Sequence, residues 1–96
     1  MTDFSDFEQS LAANSPLLDL APALEALWWL RNGDWDKAHV MVQALSSSDA
    51  AWVHAHLHRV EGDLENAAHW YRRAGKDVAQ TSLKEEWQVL ARALAK

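Results

Sequence analysis

The sequence predicts an all-α domain of five or six helices, stacked as antiparallel hairpins. Apolar residues recur at intervals of three and four along the 96 residues, and no segment alternates with the period of two that is typical of a strand. The same six-residue pattern also occurs twice. Residues 33–38 and 62–67, which are 29 positions apart, both read Gly, Asp, large apolar, acid, polar, Ala. Each copy follows one helical stretch and opens another, as expected at the turn of a helical hairpin.

The first helix is predicted over residues 5–13. Ser5 and Glu8 have the spacing of a capping box, in which each side chain accepts a hydrogen bond from the other residue's backbone amide. The Asn14-Ser15-Pro16 segment then ends the helix, because proline disfavours helical geometry in the residue before it. We expect this helix to flank the repeat.

The first hairpin is predicted over residues 19–47. Asp19 can cap its first helix, which is apolar on most of its circumference and is therefore expected at the centre of the domain. Gly33 ends that helix by adopting a left-handed conformation, and Asp34 caps the second helix of the hairpin. A run of serines, residues 46–48, ends the second helix.

The second hairpin is predicted over residues 48–75, and a final flanking helix over residues 82–95. Ser48 or Asp49 can cap the first helix of this hairpin, and Gly62 repeats the stop seen at the first turn. After a polar link, a serine and a glutamate at capping-box spacing open the last helix. The whole chain is predicted to form one domain, since 96 residues suffice for a single small core.

Residues 19–75 resemble the tetratricopeptide superfamily. The glycines of both turns match the family, as does the large apolar residue that follows each of them. The small residues of the paired helices also match: Ala26, Ala55, Ala38 and Ala67. The chain is a divergent relative, because the family repeats at about 34 residues, no proline closes either unit, and Glu25, His54 and His58 stand where large apolar residues are usual. Residues 68–75 also resemble an uncharacterised family of small helical-repeat proteins.

The resemblance implies a protein–protein interaction module. Stacked hairpins of this family expose a concave groove lined by the first helix of each unit. The family's groove positions correspond here to Leu27, Leu30, Arg31, Trp52, His56 and Arg59. This mixture of apolar and basic side chains suits an extended peptide or a partner helix that carries an acidic group.

Five histidines offer an alternative, a metal-binding or enzymatic protein. His54 and His58 are one helical turn apart and can share an ion, but His56 points away from both, and His39 and His69 lie on other helices. Zinc normally takes three or four protein ligands, and no acid is placed by the sequence to complete the set. We therefore predict no metal site and no cofactor. We also predict no catalytic residue and no enzymatic activity, because no phosphate loop, nucleophile motif or predictable catalytic pair is present.

Composition restricts the partners. The net charge is −5, without a basic run, so no nucleic-acid partner is expected. The longest apolar stretch, residues 26–30, is much shorter than the roughly 20 residues of a membrane span, so no membrane partner is expected either. The first residues are acidic where a signal peptide would be basic. With no cysteine in the chain, these features predict a soluble cytoplasmic protein.

Six tryptophans exceed what two capped hairpins need. Trp28 and Trp29 are adjacent, and therefore about 100° apart on a helix, so at least one ring is expected to face outward. Exposed aromatic rings are common anchors of protein interfaces. Because two hairpins are also fewer than the three or so repeats that usually make a stack stable, we expect a homodimer in preference to a monomer.

Overall fold

The computed structural model describes residues 3–95, and in that range it consists of six helices without a strand. The helices are α1 (Phe4–Ser10), α2 (Pro22–Arg31), α3 (Trp35–Gln43), α4 (Ser48–Val60), α5 (Leu64–Ala74) and α6 (Leu83–Leu94). The predicted all-α class is confirmed. Consecutive helices pack on each other, α2 with α3 and α4 with α5, while the antiparallel stacking of the hairpins stays a prediction.

The two repeated turns have the backbone geometry that the sequence predicts. Gly33 and Gly62 have φ angles of 91° and 88°, which an L side chain rarely adopts. The carboxylate of Asp34 accepts a hydrogen bond from the backbone amide of Lys37, and Asp63 caps α5 in the same way. Each turn therefore stops one helix and starts the next within three residues.

Helix α1 is shorter than predicted: it ends at Ser10, whereas the prediction extended to residue 13. The hydroxyl of Ser10 donates a hydrogen bond to the carbonyl oxygen of Phe7. The backbone carbonyl oxygen of Ser10 accepts a hydrogen bond from the Trp28 indole at 3.0 Å. Asp3, not Ser5, caps this helix. These contacts join α1 to the central helix α2 and so bind the first flanking helix to the core.

Other caps also differ from the sequence-based expectation. Asp19 does not cap α2 but has a left-handed φ of 62°, and the helix begins at Pro22 without a side-chain cap. Ser47, one residue earlier than expected, caps α4. The predicted cap of α6, Ser82, is confirmed.

The core is built around α2, as predicted. Leu24, Leu27 and Trp28 are all buried there. The small residues that match between the two units are buried as well, and they are Ala26, Ala55, Ala38 and Ala67. Side chains of this size allow close approach of neighbouring helices, so the repeat marks packing positions.

Helix α6 packs against α2 and α4. Its apolar stripe of Trp87, Leu90 and Ala91 is buried, and the Trp87 indole donates a hydrogen bond to the carbonyl oxygen of Leu27 at 3.1 Å. The chain reaches this position through residues 76–82, which form no helix. The second flanking helix therefore covers the face that the first helices of the two units share.

The expected outward-facing tryptophan is not observed, since all six rings are buried or half-buried. Three of the half-buried rings have a cation over one face, and in two of them the cation is a lysine. The Lys37 ammonium lies 3.9 Å from the Trp29 ring centre, and that of Lys76 lies 4.3 Å from the Trp52 ring centre. Lysine stems thus shield rings that a partner was expected to cover.

Within residues 3–95, every helix is too short or too polar to cross a lipid bilayer.

Candidate metal centre

Three histidines from two helices meet at one point of the structure. His54 and His58 lie on the same side of α4 because they are four residues apart. Helix α3 packs against α4 and brings His39 to them. One ring nitrogen from each histidine falls in a group whose members all lie within 4.8 Å of one another. We call these three residues the triad.

The spacing within the triad is that of metal ligands. The Nε2 atoms of His39 and His54 are 3.0 Å apart. Two nitrogens at the usual zinc distance and at a tetrahedral angle lie about 3.3 Å apart. The two rings share a hydrogen bond here, so a small movement together with a change of tautomer in the donating ring would let both nitrogens bind one ion.

The environment of His39 and His54 favours neutral imidazoles. Burial, followed by the charges of His58 and His39, lowers the pKa of His54 from 6.5 to about 4. Burial and then the charge of His58 also lower the pKa of His39. A neutral imidazole has a free lone pair, which is the form that binds metals. At neutral pH, the arrangement therefore presents these two rings in the metal-binding state.

His58 is oriented by a carboxylate. Its Nδ1 lies 2.6 Å from Oε1 of Glu61, one turn further along the chain, and donates a hydrogen bond to this carboxylate oxygen. In a neutral ring, this leaves the lone pair on Nε2, which faces the Asn66 amide nitrogen at 3.3 Å. Histidine ligands of zinc commonly have such a carboxylate partner, which fixes the tautomer and raises the basicity of the ring.

Aromatic stacking holds the other two rings. The Trp70 ring stacks on His54 with centres 3.8 Å apart, and the Trp35 ring stacks on His39 at 4.8 Å. The Trp35 indole is itself anchored by a hydrogen bond to the carbonyl oxygen of Leu57. By contrast, Nδ1 of the buried His54 has no hydrogen-bond partner among the described residues. The stacking restricts ring rotation, and therefore makes the positions of the ligand nitrogens well defined.

The triad lines a cavity of about 540 Å³ that is open to solvent. Gln43 of α3 and Asn66, His69 and Trp70 of α5 complete the lining. A second group of potential ligands shares His58 and adds Glu61 and Asp63, both exposed. Of these, Glu61 already pairs with His58, and Asp63 already caps α5. The triad is thus the better candidate for a metal centre.

The residues predicted to line a binding groove lie elsewhere, on α2 and α4, against which α6 packs. Leu27 and His56 are buried, so the predicted exposed groove needs correction at these positions. The reason is that the apolar stripe of α6 requires a partner, and the segment before it returns the chain to the face of α2 and α4. The Arg31 guanidinium stands over the ring of Trp87 at 5.1 Å. Leu30 packs against the core.

Glu86 of α6 joins the rest of that face in a buried network. Its carboxylate accepts hydrogen bonds from His56 Nδ1 at 2.7 Å, from Arg59 at 3.0 Å and from the Tyr71 hydroxyl. Burial alone would raise the pKa of Glu86, but the hydrogen bonds from His56, Tyr71 and Arg59 outweigh it and lower the pKa. Burial and the bond to Glu86 raise the pKa of Tyr71. Trp52 lies beside this network, lining a small cavity with Glu86 and Val89.

Sequence reasoning placed His54 and His58 together but left out His39, Glu61 and Asn66. Two signals were available. His39 and His54 are each seven positions from the Ser46-Ser47 turn, so they lie opposite each other if α3 and α4 fold back at that turn. Glu61 follows His58 by three residues, which is contact distance on a helix. No spacing indicates Asn66, because it lies on a third helix.

No protein-family model, no curated protein and no solved structure matches the chain. The tetratricopeptide resemblance therefore stays a prediction from the sequence. What defines the candidate site is its own geometry, a three-histidine cluster in an all-α domain.

Proposed function

We propose that the protein binds a divalent transition-metal ion through His39, His54 and His58. The observation that carries this proposal is the convergence of three ring nitrogens within 4.8 Å at the wall of an open cavity. Three neutral donors would share one cation, and binding would give the nitrogens the positively charged partner that they do not have within the protein. This revises the sequence-based expectation that no metal is bound.

The donor set selects the class of ion. Imidazole nitrogens suit Zn²⁺, Cu²⁺ and Ni²⁺, whereas Ca²⁺ and Mg²⁺ prefer oxygen ligands. The chain has no cysteine that would favour softer ions. The carboxylate of Glu61 supports the same class, because it increases the basicity of the His58 ring. We take zinc as the reference ion for the experiments.

Zinc titration by calorimetry tests the proposal. We expect one site per chain at pH 7.5, with a dissociation constant of about 1 µM or lower, which corresponds to about −8 kcal/mol. His39→Ala should abolish this binding, because it removes one of three ligands. His39 is only half-buried, so the variant should fold, and circular dichroism checks that it does.

His69→Ala is the matched control. It removes an exposed histidine of the same cavity that lies outside the triad, and it should leave zinc affinity within about threefold of the unmodified protein. Zinc binding that is equally strong in folded His39→Ala would reject the triad as the site. Absence of binding to the unmodified protein would reject the function.

A second candidate function is the recognition of an amphipathic helix with an acidic group, as the sequence predicts. Its support is the position of α6, which presents Glu86 to His56 and Arg59 on the face lined by α2 and α4. A partner helix of the same chemistry could replace α6 there. Binding of this kind would require α6 to leave, which residues 76–82 could permit because they form no helix.

Loosening α6 in the full chain tests this second candidate. Glu86→Gln should increase the affinity for a labelled peptide with the sequence of residues 82–95, because it weakens the competing internal contact. The same peptide with lysine in place of its glutamate at position 86 should not bind, since it would face His56 and Arg59. Equal or absent binding of both peptides would reject the helix-binding surface.

A cytoplasmic location and a homodimer remain proposals that rest on the sequence. The absence of cysteine is consistent with the location. For the homodimer, the support is a set of exposed apolar side chains, including Leu18 and Leu64, that another copy could cover. Sedimentation equilibrium at high micromolar concentration tests the association, and a monomer under those conditions would reject it.

A further inference from the structure

The cavity beside the triad contains polar groups that point to a further ligand. Besides the triad, Gln43, Asn66 and His69 line it, and no acidic residue is among the lining residues that the structure describes. Arg73 stands near its edge, with its guanidinium over the Trp70 ring at 5.0 Å. The cavity thus combines amide donors with a positive surrounding, a combination that favours anions.

Asn66 lies beside one of the ligand atoms. Its side-chain nitrogen is 3.3 Å from Nε2 of His58, and its backbone amide is fixed by a hydrogen bond to Asp63 at 3.2 Å. The residue is half-buried in the first turn of α5. Its side-chain amide therefore stands next to the His58 nitrogen that would hold the ion.

Coordination chemistry defines what is missing from the triad. Structural zinc sites have four protein ligands, whereas sites with three keep a position for water or another small ligand. Three imidazoles are neutral, so an ion held by them keeps its full charge of +2 and attracts an anion. His69 belongs to the same cavity, but its nitrogens are not in the group that lies within 4.8 Å.

We propose that the metal ion on the triad keeps one coordination position open to the cavity, that this position takes a small anion, and that Asn66 donates a hydrogen bond to that anion. This inference rests on the proposed metal binding. The ligand class is a monovalent anion with a nitrogen or oxygen donor, such as azide or a small carboxylate. Asn66 acts as a positioning residue for the anion and does not hold the metal.

Cobalt substitution makes the open position visible. The full-length protein is loaded with Co²⁺, and its visible absorption is followed while azide is added. We expect the spectrum to change with saturation, because a new donor alters the coordination of Co²⁺. Asn66→Ala should keep Co²⁺ affinity within about threefold but weaken azide binding about tenfold, as expected for the loss of one hydrogen bond to a charged group.

Asn66→Asp gives a sharper result. Its carboxylate can become a fourth protein ligand, so it should tighten Co²⁺ binding at least about tenfold and abolish the response to azide. Aspartate is favourable in the first turn of a helix, so α5 should remain folded. His69→Ala should change neither the Co²⁺ affinity nor the azide response.

The outcomes separate the two proposals. If Co²⁺ binds and azide leaves the spectrum unchanged, the position is closed and this inference is wrong, while the proposed metal binding stands. If azide acts only after His69→Ala, and that variant also binds Co²⁺ more weakly, His69 is the fourth ligand and the inference is again wrong. If Co²⁺ does not bind at all, both proposals are rejected.

Discussion

Helix α4 carries two buried histidine clusters on opposite sides, and their chemistry differs. His56 is two positions from both His54 and His58, and therefore about 200° from them around the helix. On its side, His56 meets the carboxylate of Glu86 at 2.7 Å. On the other side, His54 meets a second imidazole, His39, at 3.0 Å. His56 thus has a buried acid partner, whereas His54 has a ring of its own kind, and the acid on that side, Glu61, pairs with His58 and is exposed.

The partners decide what each cluster can do. The Glu86 network satisfies its polar groups internally, because the carboxylate accepts three hydrogen bonds and Arg59 also donates to the carbonyl oxygen of Thr81. Its role is to hold α6 on α4. The triad has no carboxylate between its rings, and it keeps a buried nitrogen without a partner among residues 3–95. The Glu86 network is enclosed between helices, whereas the triad lies at the wall of an open cavity, where its nitrogens can be reached by a ligand.

The largest expected effect is on the Glu86 side. Glu86→Ala leaves His56, Arg59 and Tyr71 without their buried acceptor, and breaking a buried ion pair in this way costs about 3–5 kcal/mol. Urea denaturation should therefore show a strongly lowered midpoint. Zinc affinity of the folded fraction should be unchanged, since the triad lies on the other face. An unaltered midpoint would show that the network does not hold α6.

Zinc should stabilise the protein through the triad alone. At a free zinc concentration of 100 times the dissociation constant, binding to the folded state adds about 2.7 kcal/mol to the free energy of unfolding. Glu86→Gln should keep this increment, and His39→Ala should lose it. Urea midpoints of the three proteins at pH 7.5, with and without zinc, measure the difference. An equal increment in His39→Ala would place the ion elsewhere.

Acidification should destabilise the metal-free protein earlier through the triad than through Glu86. The pKa of His54 is lowered from 6.5 to about 4, through burial and the charges of His58, His39, Arg73 and His69. The unfolded chain therefore takes up a proton first, and stability falls as the pH decreases from about 6.5 towards 4, by at most about 1.4 kcal/mol per pH unit for each such group.

Glu86 contributes to this loss only at lower pH. Its pKa is below the ordinary 4.5, so its stabilisation is present above that value and is lost as the pH falls through the folded-state pKa. His54→Gln should flatten the decrease between pH 6.5 and 5 in urea titrations, and Glu86→Gln should not. An identical slope in His54→Gln would contradict the lowered pKa of His54.

The smallest expected effect concerns Glu61. Glu61→Gln replaces the charged acceptor of His58 and should weaken zinc binding about tenfold, as is typical of the partners of metal ligands. Stability should hardly change, because the Glu61 side chain is 40% exposed. Glu65→Gln, which alters an exposed acid on α5, is the matched control. Equal zinc affinities in the two variants would show that Glu61 does not support the site.

Local chemistry explains what could be predicted. Gly33 and Gly62 identified the turns because few other residues adopt positive φ angles, and Asp34 identified the cap that follows. The four alanines that match between the two predicted hairpins identified packing positions, since all four are buried. In the candidate site, the four-residue spacing placed His54 and His58 on one side of a helix. Each of these inferences needed only contacts within a few residues.

The rest depended on contacts between distant parts of the chain. His39 joins His54 from 15 positions away, and Glu86 reaches His56 across 30 positions. Spacing along one helix predicts neither contact, because both depend on how helices pack. The groove prediction was incomplete for the same reason, since the sequence did not indicate which face the amphipathic α6 would cover.

The sequence by itself determined the all-α class, the two glycine turns and the paired histidines of α4, because backbone geometry and helical periodicity act locally. Only the tertiary structure decided that α3 brings a third imidazole to one side of α4 and that α6 brings a carboxylate to the other. Both sides of the helix carry histidine, so residue type does not distinguish them. The difference arises from the way whole helices pack. The free energy of that packing, and not the preference of any single residue, determines which group lies next to each histidine ring.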